Sequence, residues 1–238
     1  MEFNIFQVIA ICLLPVTFAI TVHEAAHAYA ARYFGDLTAY AQGRVSLNPL
    51  RHIDPIGTVA LPLTMLAVTK LFGGGFVFGW AKPVPVNFNN LRSPRRDMLW
   101  VAAAGPGANL LMAIFWVLVV KLAYFEFTGV LSLPMALMGA VGVVTNVSLM
   151  VINLLPLPPL DGGRIVISLL PRKQALQFAR IEPYGFFIII ALMLLHIDDE
   201  RLLSYIIAPL FTLAIRLVSA PFGVSDVDLN TFIHILSR

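Results

Sequence analysis

Six apolar runs interrupt this sequence, and most of them are long enough to cross a lipid bilayer. A helix needs about 20 predominantly apolar residues to span the hydrocarbon core. The runs are apolar on all sides and do not alternate with a period of two, so they favour membrane helices over a membrane β-barrel. They cover residues 5–34, 56–72, 98–124, 133–155 with an extension to 170, 184–196 and 202–221.

The charge content agrees with a chain whose solvent is the lipid bilayer. Of 238 residues, 59% are hydrophobic and 12% are charged, and the mean hydropathy is +0.85. A soluble domain carries about 25% charged residues, so a soluble enzyme and a disordered chain are both excluded. The net charge of +3 is too small for a nucleic-acid-binding surface, and we expect no nucleic-acid partner. We predict an all-α polytopic membrane protein that forms one domain over residues 1–238.

Basic residues next to the runs predict the orientation of the chain. If all three basic clusters face the cytoplasm, the N-terminus lies outside and residues 222–238 form a cytoplasmic tail. Residues 54–91 must then enter the membrane from the cytoplasmic side and return to that same side. The run at 56–72 is short and is followed by three glycines, so we predict a re-entrant region within residues 36–91. The clusters are Arg32, Arg44 and Arg51; Arg92, Arg95 and Arg96; and Arg172, Lys173 and Arg180.

Three ionisable residues lie within five positions of the first apolar run, in the sequence His23-Glu24-Ala25-Ala26-His27. Each ionisable group near the centre of a membrane helix costs about 2.5–3.5 kcal/mol, so a chance occurrence here is disfavoured. Helical residues four positions apart share a face, and both imidazoles can therefore bind one metal ion. Glu24 lies about 100° round the helix, where it can act as a base toward a metal-bound water.

A catalytic zinc site needs a third protein ligand. Asp161 follows a proline-rich stretch inside the fourth run, where the prolines must break the helix. Broken helices at membrane depth are tolerated where they build a site. Two alternatives remain open from the residues alone. Asp161 can instead cap the helix that follows it, and His52 or Asp54 can supply the ligand, although their proline-flanked surroundings favour a turn.

The combination of HEAAH at 23–27 with NLLPLPPLDGG at 153–163 resembles the site-2 proteases, which are zinc-dependent intramembrane metalloproteases. Three further segments are similar to the compact bacterial and archaeal branch without PDZ or CBS domains: GRVSLNPLRHIDPIG at 43–57, GWAKPVPVNF at 79–88 and AGPGANLL at 104–111. The resemblance implies that His23, His27 and Asp161 bind one Zn²⁺ per chain and that Glu24 is catalytic.

The resemblance also implies a reaction and a location. The substrates are expected to be transmembrane proteins, cleaved within or near their membrane segments, in the inner membrane of a prokaryotic cell. The orientation predicted from the basic clusters places the active site toward the cytoplasm. Three amides within the apolar runs can assist the oxyanion or bond between helices. We favour bonding between helices for Asn109 and Asn146, and the resemblance moves Asn153 toward the site.

A substrate helix must be unwound before water reaches its carbonyl groups, and pairing with an edge strand is one way to hold it. Residues 43–48 and 82–88 have strand-like composition, and Pro83 and Pro85 lack the N–H group, which suits an edge. We therefore predict a small β element beside the site that pairs with substrate through Val45, Val84 and Val86. The alternative is a linker that closes the re-entrant loop.

A transporter or channel with an intramembrane metal or proton site is the main alternative function. It predicts polar groups across several spans and two similar halves, whereas here the polar groups converge near one end of the first and fourth runs. A metalloprotease for prenylated peptides is expected to use glutamate as the third ligand, and we find none in a later core run. An intramembrane zinc endopeptidase is therefore the favoured reading.

Overall fold

The computed structural model describes residues 3–60, 64, 82–123, 129–197 and 200–236. Short 3₁₀ turns lie at Pro49–Arg51, Phe88–Asn90 and Ala220–Phe222, and a π-helical turn lies at Pro55–Ala60. Two-residue strands β1 (His196–Ile197) and β2 (Glu200–Arg201) pair antiparallel. The α-helices are α1 (Ile5–Tyr33), α2 (Thr38–Ala41), α3 (Pro94–Lys121), α4 (Ser132–Asn153), α5 (Asp161–Leu169), α6 (Arg172–Ala179), α7 (Glu182–Leu194), α8 (Leu202–Ser219) and α9 (Asp226–Leu236).

Four of the described helices are long and apolar enough to cross a bilayer, namely α1, α3, α4 and α8 with the turn that follows it. The pair α6 and α7, which bends by 58°, gives a fifth candidate. The prediction of six membrane segments is therefore not confirmed. With 13 residues, α7 is too short to span alone. Most of the predicted segment 56–72 lies outside the described residues.

Polar residues set the first turns of the two longest helices. The Asn4 side chain accepts a hydrogen bond from the Gln7 backbone N–H at 3.0 Å, and the Gln7 side chain accepts one from the Asn4 N–H at 2.9 Å. Helix α3 begins at Pro94, four residues before the predicted start at 98. Its first turn is polar and is closed by Asp97, which accepts from the Ser93 N–H at 2.8 Å. A start predicted from apolar residues alone therefore omits this polar turn.

The predicted core run over 133–170 forms two helices separated by residues 154–160, which confirms the predicted break at its prolines. Pro156, Pro158 and Pro159 lie in this link and cannot donate the backbone hydrogen bonds that would continue α4. The chain resumes helical structure at Asp161, so that residue lies at the start of α5 rather than inside a long helix.

Helices α1, α3 and α4 pack against one another and form the centre of the molecule. Small residues allow close contact, because a Cβ atom on Gly142 of α4 would overlap the ring of Trp116 on α3. Helices α8 and α9 cover α4, and Leu229 and Phe232 of α9 are buried in the same core. The C-terminal segment thus packs on the helical core through α9, as a second layer beside α8.

The predicted β element at 43–48 and 82–88 is not confirmed, because none of these residues lies in a strand. Pro83 and Pro85 remove two of the backbone donors that a ladder requires. Side chains and loops hold residues 82–88 instead. Arg44 Nη2 donates to the Lys82 carbonyl at 2.6 Å, and the Lys82 N–H donates to the His52 carbonyl at 2.9 Å.

Candidate metal centre

Helices α1 and α5 bring three metal-ligating atoms together. His23 and His27 lie one turn apart on α1, and their Nε2 atoms are 3.1 Å from each other. Asp161 Oδ2 lies 3.3 Å from each of these nitrogens. The three side chains are largely enclosed, with exposed fractions of 9%, 12% and 12% in that order. Among the histidine, cysteine, aspartate and glutamate residues that the structure describes, these three form the group whose ligand atoms converge on one point.

The chemistry and the spacing of these donors fit a zinc ion. His27 Nδ1 lies 2.8 Å from the Val101 carbonyl, which only accepts, so in the neutral ring Nε2 carries a lone pair. Asp161 Oδ2 is buried and makes no hydrogen bond within the described structure. A tetrahedral zinc ion with bonds of about 2.0–2.1 Å places its ligands about 3.3 Å apart. The observed separations of 3.1–3.3 Å match that value.

Asp161 is the first residue of α5 and does not cap it. Leu160 occupies the capping position, and no side chain bonds to the free N–H groups there. The Asp161 carboxylate is therefore directed at the two histidines. Its place in the first helical turn favours a negative charge, because the N-terminal end of a helix is electropositive.

Glu24 lies beside the three donors and is held by the segment that follows residue 81. Its Oε2 atom accepts a hydrogen bond from the Val84 N–H at 2.8 Å. This contact joins α1 to residues 82–88 across 60 positions of sequence. One carboxylate oxygen of Glu24 is thereby fixed, and the residue lines the adjoining cavity.

A cavity of about 450 Å³ opens onto the three donors and Glu24. Its walls come from α1, α3, α5, the end of α4 and residues 83–88. This volume falls within the range of about 300–1,000 Å³ that is usual for ligand sites. Besides the four site residues it is lined by Pro83, Val84, Val86, Phe88, Val101, Ala102, Asn153, Pro159, Leu160 and Arg164.

Gly105 lets α3 approach the histidines closely. A Cβ atom at this position would overlap the His27 ring and come within 2.6 Å of His23 Cε1. Only a residue without a side chain fits there. The sequence places Gly105 in a run of small residues, which indicates close helix packing, but the partner of that face is not visible in the sequence.

The three amides from the sequence fall into two environments. Asn153 lines the cavity, and its Nδ2 donates to the Leu149 carbonyl at 2.9 Å. Asn109 and Asn146 do not line the cavity and are fully buried between helices behind His23. The Asn109 Oδ1 atom lies 2.5 Å from His23 Nδ1.

The remaining candidates lie around the centre. Val84 and Val86 line the cavity, whereas Val45 packs behind them against a small apolar cluster with Ala28. His52 Nε2 lies 2.8 Å from the Ser46 carbonyl, and Asp54 accepts from the backbone N–H groups of the following turn. Neither belongs to the converging donor group.

Asp36 anchors residues 87–90 to the end of α1. Its buried carboxylate accepts from the Asn87 N–H at 2.7 Å, from the Thr38 N–H at 3.0 Å and from the Asn90 amide at 3.3 Å. Burial raises the pKa of this carboxyl, but the hydrogen bonds from Thr38, Asn87 and Asn90 outweigh burial and hold the pKa below its usual value. The carboxylate thus ties residues 87–90, which include the cavity residue Phe88, to the segment that follows α1.

Arg164 is a cavity residue that the sequence did not single out. It lies one turn after Asp161 on α5, with its guanidinium carbon 4.9 Å from the centre of the Phe88 ring and Nη2 3.7 Å from Glu182 Oε1. The spacing of three residues from Asp161 is a signal that could have indicated it, because such residues share a helix face.

Comparisons with known proteins find one family model and several relatives that are named as zinc metalloproteases. The sequence model of peptidase family M50 matches residues 127–196. The chain is 37% identical over 201 residues to "Putative zinc metalloprotease YwhC" of Bacillus subtilis, which covers 83% of this chain and 84% of that protein.

Two further relatives carry the name "Putative zinc metalloprotease Rip2". The protein from Mycolicibacterium smegmatis is 29% identical over 178 residues, which are 74% of this chain and 63% of that protein. The protein from Mycobacterium tuberculosis is 31% identical over 144 residues, which are 60% of this chain and 51% of that protein. This chain thus spans between half and two thirds of the Rip2 proteins. No solved structure matches it.

Proposed function

This chain belongs to peptidase family M50, the family of the site-2 proteases, and is a zinc metalloprotease of the membrane; we propose that it hydrolyses peptide bonds within or next to the transmembrane segments of other proteins. The observation that carries this proposal is the position of the metal centre. His23, Glu24 and His27 lie in a helix that is long and apolar enough to span a bilayer, and they open onto a cavity of about 450 Å³.

We assign His23, His27 and Asp161 as the protein ligands of one Zn²⁺. Their convergence at 3.1–3.3 Å supports the assignment, as does the buried Asp161 oxygen that lacks a hydrogen-bond partner within the described structure. A zinc ion held there supplies a Lewis acid that acidifies water toward a pKa of about 7 and polarises a carbonyl group.

Glu24 moves the proton in this proposal. Its Oε2 atom is fixed by the Val84 N–H, so the other oxygen, Oε1, accepts the proton of the attacking water and later returns it to the leaving amine. Asn153 is the amide that lines the cavity, and we assign it as a donor to the substrate carbonyl oxygen, to which it would turn from the Leu149 carbonyl.

Residues 84–86 hold the unwound substrate in this proposal. In an extended segment the peptide groups of residues i and i+2 point to one side. The Val84 N–H points to Glu24, and the N–H and carbonyl groups of Val86 make no hydrogen bond within the described part of the chain. An extended peptide that pairs with Val86 would therefore pass directly beside Glu24. Val45 supports this segment from behind through the cluster around Val84.

We place the metal centre toward the cytoplasmic face of an inner membrane. The support is that two arginines of the second basic cluster contact the ends of the two helices that precede the other clusters. Arg92 Nη2 donates to the Tyr33 carbonyl at 3.1 Å, and Arg95 Nε donates to the Ser168 carbonyl at 2.9 Å. The first contact lies at the end of α1 that follows His27, and the second lies at the end of α5. Basic loops are retained in the cytoplasm.

Zinc content and cleavage, measured on matched variants, test the assignment. We expect Glu24→Gln to keep about one zinc ion per chain and to lose cleavage of a single-span substrate, because a glutamine cannot accept the proton. Asp161→Ala should lose tight zinc binding. The matched control is Asp54→Ala, which removes the competing candidate and should retain zinc. Full activity of Glu24→Gln, or zinc loss confined to Asp54→Ala, would contradict the proposal.

A further inference from the structure

A chain of buried side-chain amides runs from His23 across the three central helices. Asn109 of α3 and Asn146 of α4 are fully buried, and His23 of α1 is buried beside them. His23 Nδ1 lies 2.5 Å from Asn109 Oδ1, and Asn109 Nδ2 lies 2.9 Å from Asn146 Oδ1. Polar groups in such an apolar interior are costly unless every contact has the correct donor and acceptor, so the directions of these bonds are informative.

Backbone carbonyls fix the orientation of both amides. Asn146 Nδ2 lies 2.8 Å from the Gly142 carbonyl, so the amide oxygen of Asn146 must face Asn109. Asn109 Nδ2 lies 3.2 Å from the Ala19 carbonyl and donates its second hydrogen to Asn146. A carbonyl oxygen only accepts, so neither amide can be flipped without the loss of a donor. The Asn109 oxygen is therefore the atom that faces His23.

The same reasoning fixes the proton on His23. Its Nδ1 atom faces an amide oxygen and must donate, which leaves the lone pair on Nε2, the atom that points to Asp161 and His27. We propose that Asn109 and Asn146 are positioning residues for the metal centre, which hold His23 in the tautomer and ring orientation that bind zinc through Nε2. This inference rests on the metal assignment proposed above.

His23 and His27 both hold the proton on Nδ1, but their hydrogen-bond acceptors differ. His27 Nδ1 donates to a backbone carbonyl, that of Val101, and so needs no second side chain. His23 depends on a side chain, which in turn is held by a second one from another helix. All the bonds from His23 to Gly142 donate in one direction, and this alignment increases the basicity of the metal-binding nitrogen. Zinc affinity is therefore coupled to the packing of α1, α3 and α4.

Zinc affinity in detergent, measured by titration against a chelator, tests whether Asn109 and Asn146 position His23. Loss of a hydrogen-bond partner behind a metal ligand costs about 10–100-fold in metal affinity. We expect this loss for Asn109→Leu and a smaller loss for Asn146→Leu, which leaves the contact to His23 in place. Asn109→Asp keeps an acceptor for His23 and should bind zinc more tightly than Asn109→Leu.

A packing control separates positioning from general damage. Val143→Ala removes buried volume from the same face of α4 without touching an amide, and we expect its zinc affinity to stay within about twofold of wild type. Nitrogen-15 spectra of labelled histidine give a direct readout, in which wild-type His23 should carry its proton on Nδ1. Both readouts are independent of catalysis.

Two results would overturn the proposal that Asn109 and Asn146 position His23. One is zinc affinity unchanged in both Asn109→Leu and Asn146→Leu, and the other is a wild-type spectrum with the proton of His23 on Nε2 or the metal on Nδ1. If Asn109→Leu does not fold, Asn146→Leu and the wild-type spectrum still decide. Failure of the metal assignment is recognised separately, because wild-type protein would then not bind zinc through His23, His27 and Asp161.

Discussion

Residues outside the proposed ligand set constrain the positions of the two histidines. Gly105 packs against the rings of both histidines, and a methyl group there would occupy the space of the His27 imidazole. Overpacking of this kind forces rings off their preferred positions and costs about 1–3 kcal/mol. We therefore expect Gly105→Ala to weaken zinc binding by about tenfold or more, as measured by chelator competition.

Gly107 provides the matched control on the same helix. A Cβ atom at this position meets no atom within 4 Å, so Gly107→Ala should bind zinc as the wild type does. Equal zinc affinity in the two alanine variants and wild type would show that the close approach of α3 does not constrain the histidines.

Asp36 gives the fold a specific sensitivity to acid. The pKa of its carboxyl is lowered in the folded state, so its contribution is fully present above the unfolded value of about 3.9 and disappears as pH falls through the lower folded pKa. We expect Asp36→Asn to unfold at a lower temperature than wild type at pH 7. The difference between the two proteins should shrink below about pH 4. A difference that is constant from pH 7 to pH 3 would contradict this role.

The sequence predicts some residues of the site better than others. His23, Glu24 and His27 belong to one helical turn, so their spacing alone places them together. For Asp161 the proline-rich link before it left alternatives open, and the resemblance to the site-2 proteases selected it as the third ligand. Gly105 and the amide of Asn109 meet the histidines only because α1 and α3 pack in one particular rotation, and residue spacing within either helix does not determine that rotation.

The segment at residues 82–88 is the element that connects fold and chemistry. Pro83 and Pro85 have no backbone N–H, so at the centre of this segment only Val84 and Val86 carry one. The N–H of Val84 donates to Glu24. We expect Val86→Pro to reduce substrate cleavage severalfold or more while zinc content stays at the wild-type level, because the N–H that would pair with substrate is removed. Cleavage rates in lipid vesicles, with zinc analysis on the same samples, measure both effects.

Val86→Ala is the control, since it shortens the side chain but keeps the N–H group. Cleavage by Val86→Ala should remain close to that of wild type. If the alanine and proline variants lose activity equally, the side chain rather than the backbone of Val86 holds the substrate, and the pairing proposal is wrong.

Element boundaries followed local polar chemistry more than apolar length. The polar first turn from Pro94 to Asp97 moves the start of α3 ahead of its apolar run. The prolines at 156, 158 and 159 divide one long run into α4 and α5. The β element at 43–48 and 82–88 was expected from residue composition. Pro83 and Pro85, which suit an edge strand, leave too few backbone donors for a ladder, and none of these residues lies in a strand.

At the level of the whole molecule, basic residues contact the ends of the two helices that carry the candidate metal centre. Arg92 contacts the end of α1, and Arg95 contacts the end of α5. Single cysteines at exposed positions 42, 96 and 173, introduced after Cys12→Ala, should all react with an impermeant maleimide from the cytoplasmic side. Labelling of the three positions from different sides would contradict the orientation.

Membrane character was predictable at this scale because the charge fraction and the apolar runs are properties of the whole chain. The packing of α1, α3 and α4 around buried amides was not, because membrane helices that are apolar on all sides do not indicate which face meets which neighbour. The placement of α9 on the core, through Leu229 and Phe232, likewise depends on a surface formed by other helices.

Cleavage of a single-span reporter in proteoliposomes, with the cut bond identified by mass spectrometry, tests the central claim most directly. His27 and His23 lie about 9–15 Å from the end of α1, which is inside the apolar part of the helix. We predict that zinc-loaded wild type cuts a bond within the hydrophobic segment of the reporter and that Glu24→Gln leaves this bond intact. A cut confined to the soluble flanks, or the same cut made at the same rate by Glu24→Gln, would contradict the assignment of an intramembrane zinc endopeptidase.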